Sequence, residues 1–247
     1  MISSTLTVFA QDLTLVGSFT YISRVKNAQD QLQYAHPQWI SNESQLFLAS
    51  FGSDLIGDQK VLNSITVERH DIKGSVGTYT TTDVPNIINP STDPTSWEYR
   101  YWWGVLGMVG FGKKNVIFQF HNTTGTDEYI LVSYEMKAGQ LVKNKQVTFN
   151  SNTTGDVTTS FKTAVVYKEA VYVVIADEVE GSVVSSIITQ YDIKLNKIKK
   201  MTGSPHGKEL LSGPISSNTL PRGYWYEDYE VVNPDETWTR FVHIYKY

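Results

Sequence analysis

The chain has 247 residues, 21 basic against 25 acidic, and no cysteine. Its length suits one large all-β domain or two small ones, and the lack of cysteine excludes disulfides and thiolate chemistry. A formal net charge of -4 offers no broad basic field to gather phosphates, so no nucleic-acid partner is expected.

The N-terminal "MISSTLTVFAQD" lacks the basic start and continuous apolar run of a secretory signal. It reads as a strand, and no export signal is expected. "LFLASF" at 46–51 is a short apolar run suited to a buried strand. The alternating "SITVERHDIK" at 64–73, a "KGS" turn and polar "VGTYTT" follow. Next comes "TTTDVPNIINPSTDPTSWEYR", an insertion at about 80–100 that Pro85, Pro90 and Pro94 stiffen and keep out of regular structure. The apolar stretch "YWWGVLGMVGF" at 101–111 is shorter than the ~20 residues a membrane helix needs, so no membrane insertion is expected. "VIFQF" at 116–120, "YILVSYEMK" at 129–137, "KAGQ" and "LVKNKQVTF" repeat the earlier order. So do "VYVVI" at 171–175, "SSIITQYDIK" at 185–194, "KLNK" and "KIKKM". The basic run "KLNKIKK" at 194–200 reads as a solvated edge strand, where lysines discourage edge pairing. Both "NTTG" runs, at 122–125 and 152–155, read as turns with Gly free to take positive φ.

The repeated signature is an aromatic or His, an acid, an apolar residue and a Lys: "HDIK" at 70–73, "YEMK" at 134–137 and "YDIK" at 191–194. "YISR" at 21–24 and "HIYK" at 243–246 are looser copies. The lead residues Tyr21, His70, Tyr134, Tyr191 and His243 are spaced 49, 64, 57 and 52 apart. Each strict unit runs apolar strand, variable loop, alternating strand, tight turn, polar strand. One such meander cannot bury its apolar faces alone, whereas stacked neighbours can. The pattern resembles kelch-like β-propeller blades, in which an apolar strand leads into a strand ending in a Tyr-Asp-type turn. It departs from them at "VVIAD", 173–177, where a double glycine would stand. The resemblance implies an all-β fold, a single β-propeller-like domain over 1–247 with four to six blades. Five is the expected count, and a β-sandwich or jelly roll is the alternative.

Two aromatic clusters are the candidate binding sites. "WEYRYWWG" places Trp97, Tyr99, Tyr101 and Trp103 on one strand parity and Arg100 and Trp102 on the other. One parity suits burial. The other suits a stacking surface for a sugar or a partner protein, since Trp, Tyr and Arg dominate binding hot spots. "YWYEDYE" adds Tyr224, Trp225 and Tyr226 beside Glu227, Asp228 and Glu230. A glycosidase would need two carboxylates roughly 5–10 Å apart, drawn from Glu227, Asp228, Asp177 and Glu178. No catalytic constellation of recognised spacing, phosphate loop or nucleophile elbow is present. The five histidines are too scattered to be metal ligands, and no cofactor is expected.

The expectation is therefore a non-enzymatic binding or assembly module. A Thr-, Asn- and Tyr-rich β composition without cysteine resembles bacteriophage virion proteins of the tail, collar or fibre. That resemblance implies a virion location, with cytoplasmic or cell-surface placement as alternatives. Its partners would be other subunits, as a homo- or hetero-oligomer, or a host surface glycan. A carbohydrate-active hydrolase or a lectin on the same scaffold is the competing class.

Overall fold

The computed structural model describes residues 2–9, 15–23, 38–41, 45–71, 74–89, 91–93, 106–122, 128–167, 169–202, 224–232 and 238–246. Among these residues there is no helix, and the fold is all-β. Strands β1 (Ile2–Phe9) and β2 (Leu15–Ser23) form a hairpin. Strands β3 (Gln38–Ser41), β4 (Gln45–Ile56), β5 (Gln59–Asp71) and β6 (Gly74–Thr81) form a first antiparallel meander. A second follows in β7 (Leu106–Phe111), β8 (Asn115–Asn122), β9 (Glu128–Lys137) and β10 (Gln140–Asn150). After the short β11 (Asn152–Thr154), a third comprises β12 (Val157–Tyr167), β13 (Ala170–Val179), β14 (Ser182–Asp192) and β15 (Lys197–Thr202). A last hairpin joins β16 (Tyr224–Val232) to β17 (Trp238–Lys246).

The first two meanders join at their outer strands into one curled eight-stranded sheet. The seam is a single parallel pairing of Thr80 with Gln140, where the Thr80 amide donates to the Gly139 carbonyl at 3.1 Å. The third meander, with β11, is a separate curled sheet of five strands. Its tight hairpin has positive φ at Glu180 (51°) and Gly181 (79°), and β9–β10 turns the same way at Ala138 (49°) and Gly139 (77°). Such paired positive φ values match the twist of the flanking strands.

The sequence repeat is a structural one. His70, Tyr134 and Tyr191 each lie near the end of the third strand of a meander, and all three are buried. Each also faces a β-bulge on the outer strand. The extra residue is Val76 between the partners of His70 and Arg69, Asn144 between those of Tyr134 and Ser133, and Ile198 between those of Tyr191 and Gln190.

Packing explains why the second meander reads as continuous apolar runs. Val116, Phe118, Phe120, Ile130, Val132, Tyr134 and Met136 face the first meander, where they meet Phe47, Phe51, Ile65 and Val67. Ile117 and Leu131, of opposite parity, face the third meander and meet Phe161, Val171, Val173 and Tyr191. A strand covered on both faces has no solvent side on which to place polar residues. Rings interlock in the first core, with Phe51 edge-on to Phe118 at 5.8 Å and Phe118 edge-on to Tyr134 at 6.0 Å.

Candidate functional site

Two of the candidate acids sit on β13. Asp177 lies opposite Thr159 and Ser185, and its carboxylate accepts a 2.6 Å hydrogen bond from each hydroxyl. The Ser185 bond, then the Thr159 bond, hold its pKa below the usual carboxylate value against a small opposing effect of burial. Glu178, the next residue, faces the other side of the sheet. There it pairs with Lys162 and accepts a bond from Ser160 at 3.2 Å. A retaining or inverting pair must converge on one sugar from one cleft. These two carboxylates diverge, and the depressed pKa of Asp177 is opposite to what a general acid requires.

The first half of the proline-rich insertion is anchored. Thr82–Asn89 runs back along the β4–β5 hairpin, where the Leu62 amide donates to the Ile87 carbonyl (2.9 Å) and the Asn89 amide to the Lys60 carbonyl (2.8 Å). Ile87 is fully buried in the first core, with Val84 packed against it. Tyr134 donates its phenol proton to the Asp83 carbonyl at 2.8 Å, and Lys143 pairs with the Asp83 carboxylate at 3.2 Å. The segment is irregular, as its prolines imply, but it plugs the seam between meanders rather than hanging free. Burial, then the Asp83 charge, push the Tyr134 phenol far above its ordinary pKa.

The second and third meanders are clamped at their tips. The Lys113 amide donates to the Glu169 carboxylate at 2.7 Å, and Ser133, fully buried, donates to the Ile193 carbonyl at 2.6 Å. The turn after Tyr191 is organised by Asp192. Its carboxylate accepts from the amides of Lys194 (2.9 Å) and Asn196 (2.8 Å) and from the Asn196 side chain (2.9 Å). Leu195 adopts φ 64° there and is wholly buried. Partial burial raises the Asp192 pKa, but the Asn196 and Lys194 bonds and the Lys194 charge overcome this and leave it lowered. Sequence reading missed Ile87, Ser133 and Glu169. Only the apolar doublet Ile87-Ile88 inside a polar run hinted at the first.

At the far side of the third sheet, β15 is an outer edge with Lys197, Ile198, Lys199 and Lys200 all exposed, as expected of a solvated strand. Among the described residues no three His, Cys, Asp or Glu gather to hold a metal. Trp97, Tyr99, Arg100, Tyr101, Trp102 and Trp103 lie outside the described residues. Tyr224, Trp225 and Tyr226 lie on β16, paired with Lys246, Tyr245 and Ile244 of β17. No protein-family model matches the chain, and no curated protein matches it either.

Proposed function

We propose that the chain is a non-catalytic binding and assembly module, a bacteriophage virion component of the tail, collar or fibre kind. In this reading it is a small propeller-like ring that docks on other virion proteins or on a host surface glycan. The observation that carries the reading is the stacking of successive meanders with both faces of the middle one buried. That arrangement makes a rigid scaffold and leaves recognition to edges and loops.

Ring closure is supported by the far faces of the outer meanders. Leu48, Ser50 and His70 point away from the first core, and Val174, Ala176, Ser186 and Ile188 point away from the second, yet all are buried. We read hairpins β1–β2 and β16–β17 as seated one on each of these faces, giving five units. The diverging, engaged acids Asp177 and Glu178 support a binding role over hydrolysis.

Light scattering tests the assembly reading. Wild type and a Trp102→Ala/Trp103→Ala double variant are compared, with folding checked by circular dichroism. A wild-type oligomer that becomes a folded monomer supports docking through the 97–104 stretch. If wild type and variant are both folded monomers, that stretch does not mediate self-assembly. Titration with bacterial surface polysaccharides then decides the glycan branch. Release of new reducing ends in that titration would overturn the non-catalytic reading. An unfolded variant would make the aromatic stretch core and remove it as a docking surface.

A further inference from the structure

We propose that the basic edge of β15 pairs antiparallel with the acidic edge of β16 from a second copy of this chain, continuing one sheet across two subunits. β15 is the last strand of its sheet, hydrogen-bonded to β14 on one side. Among the described residues, none of Lys197, Lys199 and Lys200 forms an ion pair, and Ile198 is 57% exposed between them. β16 has β17 as its neighbour in a separate two-stranded sheet, so within one copy β15 and β16 are not hydrogen-bonded to each other.

The two edge sequences fit in one register. Antiparallel, with Lys199 opposite Asp228, Lys197 falls opposite Glu230 and Lys200 opposite Glu227. Ile198 then meets Tyr229, Met201 meets Tyr226 and Thr202 meets Trp225. Every lysine meets an acid and every apolar residue meets an aromatic. A slip of one residue in either direction leaves a single lysine opposite an acid. Opposite charges and aromatic–aliphatic pairs directly across a ladder are the pairs that stabilise sheets.

The molecule already contains the precedent. By strand register Lys143 on β10 stands opposite Tyr134, and Lys197 on β15 stands opposite Tyr191, the equivalent position. Lys145 and Lys199 correspond in the same way, opposite Ser133 and Gln190. On β10 the outer edge is partly taken up by β6, and Lys143 finds the Asp83 carboxylate at 3.2 Å. On β15 no strand among the described residues pairs with the same edge. Its lysines repel a second β15 and admit an acidic strand, which turns the usual protection of an edge into a choice of partner. One copy's β15 on the next copy's β16 is a head-to-tail contact, which builds rings or filaments. The inference names a contact for the assembly reading and rests on its premise of self-association.

The absence of native cysteine makes disulfide trapping the test. Lys199→Cys and Asp228→Cys variants are prepared separately, mixed and oxidised at low ionic strength. Directly opposed strand residues lie within disulfide reach. A mixed-variant disulfide dimer should form several-fold faster than dimers of either variant alone, and should slow in about 0.5 M salt, where exposed charges are screened. Charge reversal gives a second readout. Lys197→Glu/Lys199→Glu/Lys200→Glu and Glu227→Lys/Asp228→Lys/Glu230→Lys proteins should each be monomeric alone and associate when mixed. No preference for the mixed disulfide, or a Lys199→Cys/Asp228→Cys chain that closes only on itself, overturns the inference. So does a monomeric wild type whose lysine edge instead binds a sulfated polysaccharide. Failure of the trapping while light scattering still finds an oligomer sinks this contact and leaves the assembly reading standing. A wild type that stays monomeric across concentration removes this contact and self-assembly together, and leaves docking on other virion proteins or a glycan standing.

Discussion

Gly110→Ala tests the closest approach between the second and third meanders. A Cβ at Gly110 would sit 2.6 Å from Val166 Cγ2 and 3.3 Å from Cγ1, and closer still to Val166 Cβ. Ordinary carbon contacts lie at roughly 3.5–4.0 Å, so β7 and β12 must part by about 1 Å. A gap of ~0.5–1 Å already forfeits a quarter to a half of each dispersion contact along the interface. The second core, from Ile117 and Leu131 to Phe161 and Val171, lies behind this point. The expected loss is about 1–3 kcal/mol, the usual cost of overpacking, read from urea denaturation midpoints at constant m-value. Because the obstruction reaches Val166 Cβ, Val166→Ala should not rescue the variant, whereas Val166→Gly should recover part of the loss in a double-mutant cycle. A Gly110→Ala protein within about 0.5 kcal/mol of wild type would refute the close packing of these two strands.

Further outcomes are expected at Tyr134, Ile87, Asp192 and Asp177. Tyr134→Phe should cost about 0.5–1.5 kcal/mol through the lost bond to the Asp83 carbonyl. Because the Tyr134 pKa is raised in the fold, its contribution is complete below the ordinary tyrosine value of 10.0 and is lost as pH rises beyond it. The variant should therefore show a shallower alkaline limb in pH-dependent denaturation, to which Tyr191, whose pKa burial also raises, contributes in the same direction. Ile87→Ala should cost about 2–5 kcal/mol, as for a core aliphatic. A loss below about 0.5 kcal/mol would mean that the insertion does not plug the seam. Asp192→Ala removes the acceptor of three hydrogen bonds and should cost about 1–3 kcal/mol. Since the fold lowers the Asp177 and Asp192 pKa values, their contributions are present above 3.8 and fade as pH falls below it, so Asp177→Asn and Asp192→Asn should flatten the acid limb.

The repeat was legible because each meander must solve the same packing problem. A ring or imidazole at His70, Tyr134 and Tyr191 closes the end of the third strand, and the Lys two places after the acid, at 137 and 194, stands exposed at the turn. The continuous burial of β8 and β9 was readable from "VIFQF" and "YILVSY", which leave no polar face. The long-range contacts could not be read locally. Asp177 meets Thr159 from a strand 18 residues away, Glu169 reaches Lys113 across 56, and Ser133 reaches Ile193 across 60. Each is a polar residue whose partner is chosen by sheet register and by stacking. Ile87 was obscured by its neighbours, since a lone apolar pair among Asp, Asn and Pro carries no period.

The buried lead positions repeat across all three meanders, whereas on the outer strands only the second and third share lysines, and this difference bears on function. The bulges at Val76, Asn144 and Ile198 hold one geometry on three outer strands, yet the residues around them differ. Opposite the lead residue stand Ser75 on β6, Lys143 on β10 and Lys197 on β15. Only the first two edges meet, and only at Thr80 and Gln140. A core alone would not require lysine at both equivalent places, because neither side chain fills it. Lys143 serves its edge by holding Asp83 against the seam. Lys197 stands on an edge of the same geometry, and a carboxylate on a strand from outside its own sheet would complete it as Asp83 completes Lys143.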